Sequence, residues 1–506
     1  MKFSSALSLV AGLVAISEAA PSTSVVESRA LPLVQSNQLR RVLLRSELLK
    51  KGQILEDFAY SWSGRNRLIG TIGHNKTVNY LYDTLVATGY YDVAFQKFLI
   101  STPINETFTV GNSSYETVAM AFSEAGKVTA PIVKVANLGC DAADFPDLTG
   151  KIALISRGSC TFVIKASFAE AAGALGTVIY NNVSPGVIAG SGEGDFGPVL
   201  SITLTDGQAL VAKLATGATV IGTMNVDIDS ITTYNVIAET KGGDHNNVLM
   251  LGAHTDSVEA GPGINDNGSG SIGILEVALQ LTKFSVNNAV RFGWWSGEEE
   301  GLLGATYYVE NLSAAESAKI RLYMNFDMIA SPNFVYQIYD GDGSSFGTSG
   351  APGSAELEHL WEAYFPTEAG LAFDSTAFDG RSDYGPFLDA GIPAGGLTSG
   401  ADEVKTPEQQ AIFGGTAGII LDPNYHTAQD TLKNLNVGVW VQMTKGIAHA
   451  VATYARSWEG FPTRVTKRDA SVSTVYKPTR KDDHFPTTLS RTLFYWSITQ
   501  PKLTIE

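Results

Sequence analysis

From residue 227 onward, unbroken apolar runs alternate with amphipathic ones. Val248 to Ala253 is continuously apolar and predicts a strand buried on both faces. Gly270 to Lys283 has apolar residues at helical spacing. Ala289 to Ser296 predicts a strand, Leu302 to Asn311 a helix, and Ile320 to Asp327 another strand. Strands alternating with helices imply an α/β fold, a mainly parallel twisted sheet flanked by helices. Upstream, helical periodicity begins near Ser36 and returns from His74 to Ala87, and Tyr91 to Leu99 alternates as a strand.

Residues 111–226 have a different texture. Short Val/Ile-rich runs (Ile132 to Val135, Lys151 to Ser156, Thr177 to Tyr180, Thr219 to Met224) alternate with Gly, Asp and Pro. One helix, Phe162 to Ala172, interrupts them, and no histidine occurs. This stretch reads as an inserted β-rich accessory domain, and two domains suit a chain of 506 residues. Residues 1–20 read as a secretory signal peptide. Lys2 gives a positive start, Ala6 to Ile16 is too short to span a bilayer, and Ser17-Glu18-Ala19 offers a cleavage site. Residues 21–44 are expected to be a propeptide or an N-terminal extension. The tail 459–506 contains the dibasic pair Lys467-Arg468 and is expected to be mobile or removed.

Composition narrows the partners. Acidic residues number 51 against 35 Lys plus Arg, and the net charge of −16 disfavours nucleic acid and anionic membranes. Sequons at Asn75, Asn105, Asn112, Asn182 and Asn311 are candidate glycosylation sites on a secreted, extracellular chain. A sixth, at Asn267, falls in the metal-binding stretch described next and is set aside. The two cysteines, Cys140 and Cys160, are expected to pair in an oxidising compartment. Two cysteines cannot make a metal site alone, so any metal must use histidines and carboxylates.

Functional groups of parallel sheets gather beyond the carboxyl ends of strands. His254 in Gly252-Ala253-His254-Thr255-Asp256, Glu298 and Glu299 after Trp294-Trp295-Ser296-Gly297, and Asp327 after Met324-Asn325-Phe326 all take such positions. Three adjacent acids, Glu298 to Glu300, repel one another unless a cation compensates them. One such carboxylate can bind a metal while its neighbour takes a proton from the metal's water. Asp256 is placed to orient the loop or receive the other His254 ring N–H. Asp266, among Gly263-Ile264-Asn265-Asp266-Asn267-Gly268, looks first like a turn residue, and His426 follows Asp422-Pro423-Asn424-Tyr425 in a polar loop.

Taken together, these five segments resemble the co-catalytic zinc aminopeptidases typified by bacterial secreted leucine aminopeptidases and the yeast vacuolar aminopeptidase Y. The H-x-D, the Asp in a Gly/Asn loop, E-E-x-G-L-x-G, the strand-end Asp and the late Y-H occur in family order over residues 45–458. The insert resembles a protease-associated domain, and the whole is similar to the fungal secreted leucine aminopeptidases. The resemblance implies a zinc peptidase domain made of 45–110 and 227–458, with 111–226 inserted. It implies two zinc ions per chain: His254 and Asp327 on one, Glu299 and His426 on the other, and Asp266 bridging. Glu298 is then the general base, Tyr425 an oxyanion donor, Asp256 a partner of His254, and Arg381 a substrate contact. The implied enzyme is a monomer that takes peptides with a free N-terminus.

Rival readings are weaker. Gly268-Ser269-Gly270-Ser271-Ile272-Gly273 has the spacing of a dinucleotide-binding loop but lies far beyond its strand, so close helix packing is the expected reason for its glycines. Gly343-Ser344-Ser345-Phe346-Gly347 has nucleophile-elbow spacing in a loop rather than at a strand-to-helix turn. A carboxypeptidase of the same fold would use Arg381 to hold a substrate C-terminus, and a non-catalytic binding protein would tolerate loss of ligands.

Overall fold

The computed structural model describes residues 31–464, apart from 184, 189, 191–193 and 195. The expected signal peptide and the pair Lys467-Arg468 lie outside the described residues.

Three helices lead the chain: α1 (Ser36–Arg41), α2 (Arg45–Tyr60) and α3 (Ile72–Val86). Two 20-residue strands, β1 (Tyr91–Val110) and β8 (Ile221–Thr240), pair antiparallel along their whole length. Between them lie β2 (Ser113–Tyr115), β3 (Thr117–Ala119), β4 (Gly126–Lys134), β5 (Ile152–Ser156), α4 (Phe162–Ala171), β6 (Gly176–Tyr180), β7 (Val199–Ile202) and α5 (Leu204–Ala215). After β8 come β9 (Asp244–His254), α6 (Gly268–Leu281), β10 (Asn288–Trp295), α7 (Leu303–Glu310), α8 (Ala314–Lys319) and β11 (Ile320–Phe326). The chain continues through β12 (Gln337–Tyr339), α9 (Ser354–Tyr364), β13 (Asp374–Thr376), α10 (Tyr384–Asp389), β14 (Ala394–Thr398), α11 (Pro407–Phe413) and α12 (Val437–Arg456).

The strands run in the order β13-β12-β14-β11-β9-β10-β8-β4-β5-β6-β7-β3, with β1 on the far edge of β8. β14, β11, β9 and β10 are mutually parallel, as are β4 to β7 in the insert. The continuous apolar run of β9 follows from this, because helices cover both faces of a parallel sheet. The first half of β8 pairs β4 and its second half pairs β10, so β8 runs unbroken through the expected 226/227 boundary. The insert has its own core around Ile152, Leu154, Val178 and Leu200, and Cys140 and Cys160 are joined by a disulfide across its loops.

Packing extends to both sides of the 45–458 segment. Val34 and Leu39 are fully buried, and Leu33 bridges to Ser285. Phe461 packs on Tyr454 and Trp458, and Pro462 O accepts from Arg321. A buried ion pair, Lys51 Nζ to Glu276 at 2.8 Å, ties α2 to α6. The glycines of α6 are explained by contact. A Cβ at Gly270 would lie 2.1 Å from Phe326 O, and one at Gly273 would lie 2.9 Å from Ile329. Close approach of α6 to the end of β11 therefore requires Gly270, while Gly273 packs against the Ile329 side chain. No described helix is long and apolar enough to cross a membrane.

Leu39→Ala should lower stability by about 2–5 kcal/mol, the usual cost of deleting a fully buried leucine side chain. A urea midpoint equal to that of the parent would show that residues 31–44 lie outside the cooperative core.

Candidate metal centre

Parallel register sets the site. His254, the last residue of β9, pairs with Trp295, the last of β10, and Asn325 in β11 pairs with Gly252. His254, the acid loop after β10 and Asp327 therefore leave the sheet side by side. The loop from β9 to α6 brings Asp266 back over this end, and the loop before α12 brings His426.

Asp266 lies between the two histidines. Its Oδ1 is 3.2 Å from His254 Nε2, and its Oδ2 is 3.1 Å from His426 Nε2. Asp327 Oδ1 is 3.4 Å from His254 Nε2, and Glu299 Oε2 is 3.1 Å from His426 Nε2. Glu298 stands further off, its Oε2 3.9 Å from His254 Nε2. Both ring nitrogens of His254, Glu299 Oε1 and Asp327 Oδ1 are buried without a hydrogen-bond partner. Buried polar atoms are rarely left so, and imidazole nitrogens with carboxylate oxygens are the donor set of a divalent cation. Donor atoms of His254, Asp266 and Glu299, and of His254, Glu298 and Asp327, lie within 4.8 Å of one another.

Burial and mutual charge shift the proton affinities of these groups. Burial and the charge of Asp266 push Glu299 up to about 7, and burial holds Glu298 well above the carboxylate range. Burial alone would lower both histidines. The carboxylates of Asp327 and Glu298 instead raise His254, and those of Glu299 and Asp266 raise His426 to about 10. Burial also raises the Tyr425 phenol, with Asp266 and Glu299 adding to it, so its hydroxyl stays a donor. Tyr425 stacks on His426 with ring centres 3.8 Å apart.

The supporting shell is built largely from residues that no sequence motif singled out. Fully buried Arg67 donates to the carbonyls of Thr255, Pro262 and Gly263, clamping both ends of the loop after β9. Asp430 accepts from the backbone amides of Asn265 (2.6 Å) and Asp266 (2.9 Å). Ser382 Oγ donates to Asp327 Oδ2 at 2.7 Å and accepts from Asn325, which in turn accepts from Tyr323, itself bonded by Trp295. Asp383 is fully buried beside the cluster, and both its oxygens lack a hydrogen bond. Asp256 accepts from the amides of Gly297, Glu298 and Glu299. Its Oδ1 is 3.7 Å from His254 Nδ1, beyond hydrogen-bond range, so its firm contacts are to the acid loop rather than to the ring.

Three non-glycine residues with left-handed backbones bracket the site: Leu302 after the acid loop, Met328 after Asp327, and His426 itself. Each such conformation costs on the order of 1–2 kcal/mol and persists only where surrounding contacts dictate it.

A cleft over the cluster is lined by Asp266, Glu298, Glu299, Asp327, Met328, Tyr339, Arg381, Glu403 and Tyr425 among others. Arg381 is held by Asp402 through two contacts of 2.9 and 3.3 Å. His245 lies apart, 2.5 Å from Glu239. Asn75, Asn112, Asn182 and Asn311 are exposed, whereas the Asn105 amide bonds Asp227. Asn267 is fully buried and caps α6.

The pattern described as Peptidase family M28 matches residues 235–451, and that described as PA domain matches 128–210. Leucine aminopeptidase 2 of Arthroderma otae is 49% identical over 475 residues, 92% of this chain and 95% of the relative. The aminopeptidase of an Aneurinibacillus strain superposes with a TM-score of 0.64 at 28% identity, covering 86% of this chain and 98% of its own. A zinc aminopeptidase from Bacillus subtilis gives 0.61 at 27%, covering 83% and 97%. A matched family pattern and a relative of 49% identity over nearly the whole chain agree: the chain belongs to peptidase family M28 and carries a PA domain.

Proposed function

We propose that this protein is a secreted two-zinc aminopeptidase that removes N-terminal residues, leucine and other apolar ones among them, from peptides. The observation that carries the reading is Asp266, whose two oxygens face different histidines, as a carboxylate shared by two ions requires. The names of the relatives support it, a leucine aminopeptidase in one case and a zinc aminopeptidase in another. His254 and Asp327 would hold one ion, Glu299 and His426 the other, and Asp266 both. When bound, the zinc pair acidifies a water and polarises the scissile carbonyl.

The chain's own residues do the rest. Glu298 stands back from the histidines, and its burial keeps its proton affinity high. It takes a proton from the attacking water and passes it to the leaving amine. Tyr425 donates its hydroxyl hydrogen to the oxyanion that forms at the carbonyl. Asp256 fixes the backbone that presents Glu298 and Glu299 in different directions. Carboxylates dominate the cleft and attract the ammonium end of a peptide. Arg381 is neutralised by Asp402, which favours an N-terminal over a C-terminal substrate end and leaves Arg381 a contact at the cleft rim. Secretion is inferred from the leader-like residues 1–20 and the sequons.

Glu298→Gln should keep its metal and lose kcat by about 10²–10⁴-fold, the usual share of a general base. The assay is hydrolysis of a leucyl substrate with a free amine, with its N-acetyl counterpart as the comparison. Parent-like turnover by the variant, or cleavage of the blocked substrate, would overturn the reading. Asp266→Asn should lower bound zinc below two per chain, and full occupancy by elemental analysis would refute the bridging role.

Metal loading should weaken on acidification. Glu299 keeps its proton up to about pH 7 and His426 up to about 10, and each must release it to bind a cation. Zinc titration of stripped protein at pH 6 and 8 should show weaker apparent affinity at pH 6, by about tenfold per pH unit for each proton displaced. A pH-independent Kd would contradict this.

A further inference from the structure

We propose that a second, oxygen-only cation site, suited to calcium, lies at the carboxyl end of β12, formed by Asp340, Asp342 and Glu358. Donor atoms of these three carboxylates lie within 4.8 Å of one another. Calcium takes oxygen ligands at about 2.3–2.6 Å, so oxygens up to about 5 Å apart can share one ion. The set contains no imidazole or thiolate, which separates it from the zinc-type donors of the cleft.

The buried member points to a ligand independently of the clustering. Asp340 is fully buried. Its Oδ2 accepts the amides of Ser345 (3.1 Å) and Phe346 (2.7 Å), which leaves Oδ1 without a hydrogen-bond partner. Glu358, on α9, is 3% exposed and spends Oε2 on the amide of Asp342. An enclosed carboxylate oxygen with no donor is costly, and a cation at this point satisfies it. The positive partner recorded at the cluster is the exposed His359, with Nε2 3.7 Å from Asp342. The run Asp340-Gly341-Asp342-Gly343-Ser344 places oxygens at alternate positions, as calcium loops do, although the distant carboxylate comes from a helix. The loop that mimics a nucleophile elbow thereby gains a different purpose.

The site backs the substrate cleft. Tyr339 lines the cleft, and the amide of Asp340 donates to the carbonyl of Thr376, another cleft residue, at 2.8 Å. A cation here would fasten the β12–β13 wall without touching the metal centre.

The test uses zinc-loaded, full-length protein freed of calcium by gel filtration. Calcium chloride should bind one ion per chain by isothermal titration and raise Tm by about 2–4 °C at saturation. Asp342→Asn, at an exposed position, and Glu358→Gln should lose both effects while keeping parent zinc content. Absence of calcium binding in the parent, equal binding by both variants, or magnesium binding as tightly as calcium would each overturn the proposal. Where Glu358→Gln fails to fold, Asp342→Asn decides the matter.

Discussion

The structure is organised by the burial of negative charge. Asp256, Asp266, Asp383 and Asp430 are each at most 5% exposed, and Glu298, Glu299 and Asp327 are nearly so, all about the same strand ends. Such a group cannot stay ionised in a protein interior without compensation. Arg67 supplies one fixed positive charge, and two histidines can supply two more by taking protons. A divalent cation would compensate the same carboxylates while leaving the imidazoles neutral, and the unpartnered atoms of His254, Glu299 and Asp327 suit one.

Much of the surrounding architecture holds that charge in place. Arg67 fixes the loop that carries Asp266, Asp430 fixes the Asp266 backbone, and Asp256 fixes the acid loop. The hydrogen-bonded line from Trp295 through Tyr323, Asn325 and Ser382 ends on Asp327. Asp266, Glu299 and Asp327 are thus each held by residues from a different part of the chain. The left-handed backbones at Leu302, Met328 and His426 fit the same account, because local preference yields to contacts made elsewhere.

The legible parts of the sequence were those governed by short-range periodicity. The apolar runs of β9, β10 and β11 announce buried parallel strands, and strand ends locate His254, Glu299 and Asp327. Asp266 and His426 carry no such signal, since a loop Asp and a loop His look alike whether or not they meet. Arg67 and Asp430 were invisible because their partners lie 188–196 and 164–165 residues away, and nothing local marks a cross-link of that span. Arg67 is merely followed by the apolar pair Leu68-Ile69, which gives no hint of its burial. The length of β8 was hidden for a different reason. Its middle, Asp227 to Thr233, is largely polar and pairs with β1 alone, so periodicity marks only its ends.

The adjacent acids Glu298 and Glu299 illustrate how one loop gives neighbouring carboxylates different surroundings. Both leave β10 on amides held by Asp256, so their backbones are equally fixed. Their side chains then meet different surroundings: Glu299 lies 3.1 Å from His426, whereas Glu298 approaches His254 only to 3.9 Å. A carboxylate close to an imidazole and a shared carboxylate is placed to ligate. One that is enclosed but stands off from both histidines is placed to exchange a proton. The same residue type, one position apart, thus meets two environments because the chain turns after β10, with Gly297 in a left-handed conformation just before the pair.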